Sequence, residues 1–317
     1  MFEALAILSD KYNDSTYYKG HNDDSIFDFG EYSSKTEKIF FQYIEAAIEE
    51  IVVDNTPNAV KYISSSIINV KRLYPVEADD EFTALLKRYL NAKRNLDKRM
   101  NYVPGSFLNR WIDNKHFNLG SKITIDVDNE GLGITLRLHQ DENDTQGSLL
   151  ADSGYGITQL FAILLNIEVA IMERTYQESV DGKYIIVNDE DVIRRFTGAN
   201  LAIEEPEIHL HPNFQAKLAE MFAEAYKEYG VNFIIETHSE YLIRKLQTLV
   251  LPNAKDKQIE RDDISIIYIN NADVNKRELG EPHVKHIGIN KFGFLDDDFG
   301  PGFFDEALRL ADRLIKG

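Results

Sequence analysis

Residues 201–207 read LAIEEPE, a short apolar run that ends in two adjacent carboxylates. A second apolar run, VNFII (231–235), is followed directly by ETHS (236–239). Short apolar runs of this kind are typical of buried strands, and a helical pattern after Pro212 connects the two. Because the carboxyl ends of parallel strands meet at one edge of a sheet, we expect the polar groups of both segments to lie close together.

Three of these polar side chains form a candidate site, namely Glu204, Glu205 and His238. Consecutive residues of a strand point in opposite directions, so the two carboxylates can serve two purposes. One can hold Mg²⁺, which prefers oxygen ligands, and the other can orient or deprotonate a water molecule. The imidazole can donate a hydrogen bond to a terminal phosphate oxygen. Each residue alone is more often structural, but together they indicate a site.

A glycine-containing turn, DSGYGITQ (152–159), leads into an apolar helix. Gly154 and Gly156 let the backbone approach a ligand closely, and the start of a helix offers free N–H groups with positive potential. A turn of this composition suits a phosphate group, although an ordinary turn before a helix has the same composition.

The remaining pattern predicts an α/β protein with a mainly parallel sheet flanked by helices. Residues 1–115 are predicted to form a mostly helical region, in which Phe40–Ile51 has helical spacing. Residues 116–317 are predicted to form the α/β lobe. Alternating apolar residues at 123–127 and 132–138, separated by the turn composition DNEG, predict an antiparallel hairpin at the start of that lobe.

Composition narrows the class of protein. The chain has 317 residues, 43% of them hydrophobic, which is enough for a folded core. A net charge of −18 argues against broad non-specific binding to nucleic acid or to an anionic membrane. There are no cysteines, which suits a reducing, cytoplasmic location, and no signal sequence is visible. The longest apolar run, Leu160–Met172, is interrupted by polar residues and predicts a buried helix rather than a membrane span.

Several segments resemble the ABC/SMC-type ATPases. IEEPEIHLHP (203–212) and ETHS (236–239) are similar to their Walker B and switch-histidine segments, and GYGITQ (154–159) is similar to their signature motif. The likeness is to the prokaryotic, AAA-labelled branch that includes the overcoming-lysogenization-defect and recombination-type ATPases. KRLYP (71–75) and FGPGFFDEALRLADRL (299–314) resemble further segments of that branch, so the resemblance covers roughly residues 60–317.

The resemblance implies a role for each matching residue. Glu204 corresponds to the acid on the Mg²⁺ side, which is often an aspartate in the family. Glu205 corresponds to the general base, and His238 to the residue that senses the γ-phosphate. The signature loop is matched by Ser153, Gly154, Gly156 and Gln159. In the family this loop covers ATP that is bound to a second protomer, so ATP lies at a dimer interface.

The phosphate-binding string G-x-x-x-x-G-K-[ST] is not found in this sequence. The nearest segment, GEYSSKT (30–36), is one residue short and lacks the second glycine. The chain is therefore interpreted as the C-terminal half of an ATPase that hydrolyses Mg-ATP at the interface of a homodimer or of a complex with a P-loop-bearing partner. The P-loop is expected to come from missing N-terminal sequence or from a partner chain, and this chain alone is expected to bind ATP weakly or not at all. The alternative is a relative that has lost hydrolysis.

Two other interpretations remain open. Glu204, Glu205, Glu207, His209, His211 and His238 could form a transition-metal site of a hydrolase or nuclease. His209 and His211 directly precede Pro212, however, where packing and helix capping are common uses of a histidine. The chain could also be a non-catalytic interaction module. Members of the resembled group act in DNA maintenance or phage defence, so DNA is a possible partner of a full assembly.

Overall fold

The fold is described from a computed structural model. It describes residues 3–8, 61–64, 71–99, 106–128, 130–180, 199–253, 259–269, 284–299 and 304–316. The predicted helix at Phe40–Ile51 and the segment GEYSSKT (30–36) lie outside the described residues.

The described residues form ten strands and six α-helices. The strands are β1 Glu3–Leu8, β2 Lys61–Ile63, β3 Tyr74–Pro75, β4 Lys122–Val127, β5 Gly133–His139, β6 Ser148–Leu149, β7 Asn200–Glu204, β8 Asn232–Thr237, β9 Ile264–Ile269 and β10 Val284–Ile287. The helices are α1 Glu81–Arg99, α2 Phe107–Ile112, α3 Tyr155–Val180, α4 Pro212–Tyr229, α5 Glu240–Leu249 and α6 Glu306–Lys316.

The larger sheet has six strands in the order β10-β9-β1-β8-β7-β2. Only β2, β7 and β8 pair in parallel, whereas β1 pairs antiparallel with both β8 and β9, and β10 antiparallel with β9. The predicted α/β content and a three-stranded parallel part are present, but the larger sheet is not mainly parallel, since three of its five described pairings are antiparallel. The strand–helix alternation correctly gives β7, β8 and β9 one direction, but β1 lies between β8 and β9 and separates them.

Strand β1 was not predicted, because EALAIL (3–8) is a single apolar run in a polar stretch without helical or strand periodicity. Together with β2 it contributes to the sheet that contains β7, β8 and β9. The division of the chain at residues 115 and 116 stays a prediction.

The smaller sheet is antiparallel and contains the predicted hairpin. Strand β4 pairs with β5 in the register Ile123↔Leu138 to Val127↔Ile134, and β3 and β6 also pair with β5. Gly131 in the connecting turn has a φ of 73°, a left-handed conformation that glycine adopts without a steric cost. The alternation of apolar residues therefore predicted this hairpin correctly.

Helix α3 is the centre of the core. Every residue from Thr158 to Met172 is buried, and this helix packs against α1 and α2. Its segment Tyr155–Glu173 is long and apolar enough to cross a membrane, but 83% of the most apolar stretch is buried inside the protein. Such burial is typical of the core helix of a folded domain, as predicted from Leu160–Met172.

Helix α4 packs on one face of the larger sheet. Phe222 on α4 is 0% exposed, and its ring centroid lies 4.9 Å from that of Phe233 on β8. The helix begins at Pro212 and ends at Gly230, whose φ is 61°. Proline at the first helical position and glycine after the last one are the arrangement that the sequence predicted.

Truncating Phe222 is expected to destabilise the fold. Phe222→Ala removes a fully buried ring, so the free energy of unfolding should fall by about 3–5 kcal/mol in urea denaturation. Phe292 is 64% exposed and provides a matched control. Phe292→Ala should change that free energy by less than about 0.5 kcal/mol. Equal losses for the two variants would contradict the described core.

Candidate functional site

Two neighbouring strands of the larger sheet end beside each other at the predicted site. Strand β7 pairs in parallel with β8, with Ile203 opposite Ile235 and Glu204 opposite Glu236. The residues that follow bring His238 Nε2 to 3.4 Å from Glu205 Oε1. The side chains of Glu205 and His238 are 27% and 32% exposed, so both remain accessible to a ligand. The structure therefore brings together the carboxylate and imidazole that were predicted to meet.

The backbone at Glu205 is strained. Its φ is 41°, in the left-handed region that residues with a side chain rarely adopt. Its N–H donates to the carbonyl of Glu236 at 2.9 Å, which extends the pairing of β7 with β8 by one residue. Such a conformation costs about 1–3 kcal/mol and persists where surrounding contacts impose it, commonly at functional sites.

Glu204 is held by strand β2, on the other side of β7. Its Oε2 accepts hydrogen bonds from the hydroxyl of Tyr62 at 2.7 Å and from the hydroxyl of Ser64 at 3.0 Å. Burial and the neighbouring Glu204 raise the pKa of Tyr62, so this hydroxyl stays protonated as a donor. The roles of Tyr62 and Ser64 cannot be predicted from the sequence, because a three-residue strand with one buried position carries no periodic signal.

Glu207 connects the segment after β7 to the end of β8. Its Oε1 accepts a hydrogen bond from the backbone N–H of His238 at 2.5 Å, and the residue is 8% exposed. Burial raises the pKa of the Glu207 carboxyl above its usual range, while its own N–H, the N–H of His238 and the Thr237 hydroxyl favour the ionised form.

The glycine-containing turn lies against this same segment. Ser153 follows a short 3₁₀ turn at Leu150–Asp152, and α3 begins at Tyr155. A Cβ on Gly156 would lie 2.5 Å from the carbonyl oxygen of His209, so only glycine fits there. The rings of Tyr155 and His209 also meet edge to face, with centroids 4.6 Å apart.

The four predicted ligand residues of the turn differ in exposure. Gly154 is exposed, and a Cβ built on it meets nothing within 4 Å. Ser153 and Gly156 are partly buried, whereas Gln159 is 3% exposed and its Oε1 is buried without a hydrogen-bond partner. The proposed contact of these residues with nucleotide stays a prediction, and Gln159 faces the interior in this conformation.

The histidines before Pro212 have structural roles. His209 packs on Tyr155, and its φ is 61°. His211 caps α4, since its Nδ1 accepts a hydrogen bond from the N–H of Asn213 at 3.2 Å. Within the described parts of the chain, no group of three or more histidine, aspartate or glutamate side chains could hold a metal ion. The transition-metal alternative therefore gains no support from the geometry.

The carboxylates at the strand ends fit Mg²⁺ chemically. Such sites hold the ion through one or two carboxylates, with phosphate oxygens and water completing the coordination. Glu204 and Glu205 offer oxygen donors where β7 ends, and the Tyr62 and Ser64 hydroxyls fix the orientation of the Glu204 carboxylate.

The sheet is that of an α/β protein, and its strand-end carboxylates lie at the carboxyl edge, where α/β proteins commonly bind ligands. A model of the AAA ATPase domain family matches residues 7–243, or 237 of the 317 residues. The chain belongs to this family of P-loop ATPases, whose domains use ATP and Mg²⁺. No curated protein and no solved structure matches the chain.

The two glycines of the turn should respond differently to alanine. Gly156→Ala places a methyl group against the His209 carbonyl, so thermal unfolding should show a stability loss of about 1–3 kcal/mol. Gly154→Ala meets open space and should leave stability within about 0.5 kcal/mol of the wild type. A stable Gly156→Ala protein would contradict the contact between the turn and the segment after β7.

Proposed function

We propose that this chain supplies the Walker B, switch-histidine and signature-like parts of an ABC/SMC-type ATPase that hydrolyses Mg-ATP at a subunit interface. The observation that carries the proposal is the 3.4 Å contact between Glu205 and His238 at adjacent parallel strand ends. The membership of the chain in the AAA ATPase domain family supports the same reaction class.

Each residue has a distinct part in the proposed reaction. Bound Mg-ATP supplies the phosphate bond to be cleaved and a cation that neutralises its charge. Glu205 orients the attacking water and accepts its proton, and its contact with His238 keeps the carboxylate at the strand end. His238 donates a hydrogen bond to an oxygen of the terminal phosphate. Glu204, held by Tyr62 and Ser64, lies on the metal side of the site.

The proposal includes a second protomer. Gly154 is exposed, has no left-handed φ and meets nothing within 4 Å, so the fold of this chain does not require a glycine there. A backbone that must approach a nucleotide on another subunit would require one. We therefore propose that the turn Ser153–Gln159 covers ATP held by the P-loop of a partner chain.

A non-hydrolysing interaction module is the second candidate. It is favoured by the sequence, which lacks the string G-x-x-x-x-G-K-[ST]. The two candidates differ in whether ATP is bound and turned over. A cytoplasmic location and an association of the full assembly with DNA also remain proposals.

Replacing Glu205 should abolish turnover. Glu205→Gln keeps the shape of the side chain but cannot accept the proton of water, so kcat should fall at least about 100-fold with the KM for ATP nearly unchanged. Steady-state ATP hydrolysis should be measured for the chain alone and mixed with P-loop-bearing proteins encoded beside it. Glu228→Gln, on an exposed residue near the end of α4, is the matched control and should keep full activity.

ATP binding and turnover decide between the two candidate functions. If the wild type neither binds nor hydrolyses ATP in any of these mixtures, the ATPase proposal is wrong and the interaction module is favoured. If Glu205→Gln retains wild-type kcat, Glu205 is not the general base.

Removing the Tyr62 hydroxyl should weaken the use of Mg²⁺. Tyr62→Phe leaves Glu204 without one of its two hydroxyl donors, so the Mg²⁺ concentration for half-maximal hydrolysis should rise about tenfold. Tyr229→Phe is the control, because Tyr229 lies at the far end of α4. Its hydroxyl accepts a hydrogen bond there from Arg110 of α2. An unchanged Mg²⁺ dependence of Tyr62→Phe would argue against Glu204 as the residue on the metal side.

A further inference from the structure

The buried carboxylate of Glu207 has no part in the reaction proposed above, yet it contacts the backbone of a residue that does. Its Oε1 lies 2.5 Å from the backbone nitrogen of His238, which is 31 positions further along the chain. This hydrogen bond joins the segment after β7 to the end of β8. It therefore connects the two strand ends from which Glu205 and His238 extend.

A buried glutamate lowers the stability of the fold, so a purely structural role does not explain Glu207 well. It is 8% exposed, and its Oε2 is buried without a hydrogen-bond partner. A buried carboxylate with one oxygen unsatisfied lowers stability, and neutral or apolar replacements of buried charged groups are often neutral or stabilising. Buried polar groups in native structures are usually hydrogen-bonded, so a role for Glu207 beyond packing is worth testing.

The backbone on both sides of Glu207 is strained. Glu205 and His209 both have left-handed φ values, 41° and 61°. Two short turns close the segment, with the N–H of Ile208 donating to the Glu205 carbonyl and the N–H of Leu210 donating to the Glu207 carbonyl. A strained turn keeps its conformation only where contacts impose it, and the hydrogen bond to His238 is such a contact.

We propose that Glu207 is a positioning residue that fixes the distance between Glu205 and His238. Its carboxylate holds the backbone of His238 against the turn that carries Glu205, so the imidazole lies at 3.4 Å from the Glu205 carboxylate. Glu207 itself does not touch the nucleotide. The effect on catalysis rests on the proposed ATPase function, whereas the contact itself does not.

The contact can be tested on the full chain by NMR with ¹⁵N-labelled histidine, which gives one backbone amide signal for each of the eight histidines. His238→Gln identifies its own signal by removing it. A short hydrogen bond to a carboxylate shifts an amide proton downfield. Glu207→Ala should move the His238 signal upfield, and Glu207→Gln, which keeps a neutral oxygen acceptor, should move it less.

The effect on catalysis is measured with the same variants. Glu207→Ala should lower kcat about 10–100-fold with the KM for ATP within about twofold, and Glu207→Gln should recover part of that loss. Thermal stability of Glu207→Gln should equal or exceed that of the wild type. A purely structural residue would instead lower stability and leave the kcat of the folded protein unchanged.

Glu224 provides a matched control. It is another buried carboxylate, 9% exposed, whose pKa is also raised by burial, and it accepts a hydrogen bond from the indole nitrogen of Trp111. Glu224→Ala should destabilise the protein but leave both the His238 amide signal and kcat unchanged.

The NMR signal tests the contact between Glu207 and His238, and kcat tests its effect on catalysis. A His238 signal that stays in place in Glu207→Ala overturns the contact. A signal that moves while kcat is unchanged overturns the positioning role. If the wild type does not hydrolyse ATP, the proposed function fails, while the NMR result still decides whether Glu207 holds the end of β8.

Discussion

The parallel pairing of β7 with β8 is the constraint on which the site depends. The register that aligns Glu204 with Glu236 makes both strands end at one edge, and the next residues leave the sheet side by side. A shift of this register by one residue would turn every side chain of a strand to the opposite face. Leu201, Ile203, Phe233 and Ile235 are buried and hold both strands in the core beside the site.

The segment after β7 is held on several sides. Glu205 continues the pairing with β8, Glu207 binds the backbone of His238, and the carbonyl of His209 lies against Gly156 at the start of α3. The core helix, the sheet and the candidate site thus meet within five residues of chain. The start of α3 contacts His209, which is four residues from Glu205 along the chain.

The same segment contains features that lower the stability of the fold. Two residues have left-handed backbone angles, and a buried carboxylate has an unsatisfied oxygen. By contrast, the apolar face between α4 and β8 is closely packed around Phe222 and Phe233. Strain and polar burial concentrated beside a tightly packed core are the usual features of a functional site, because the core supplies the stability that the site gives up.

The sequence by itself determined the elements that have a clear hydrophobic periodicity or capping residues at their ends. These are the hairpin β4–β5, the buried helix α3, the helix α4 between Pro212 and Gly230, and the strands that end in Glu204 and in Thr237. Periodicity and capping residues act over a few neighbouring positions, so they can be read from the chain. The closeness of Glu205 and His238 followed from these local signals and one general rule for parallel strands.

Only the tertiary structure decided which distant segments meet. In it, β1 lies between β8 and β9, and Tyr62 and Ser64 donate hydrogen bonds to Glu204. The carboxylate of Glu207 accepts a hydrogen bond from the backbone N–H of His238. Strands β1 and β2 are short, and the contacts of Tyr62 and Ser64 with Glu204 span 142 and 140 positions. Such pairings depend on the burial and hydrogen bonding of the whole sheet, which no local pattern records.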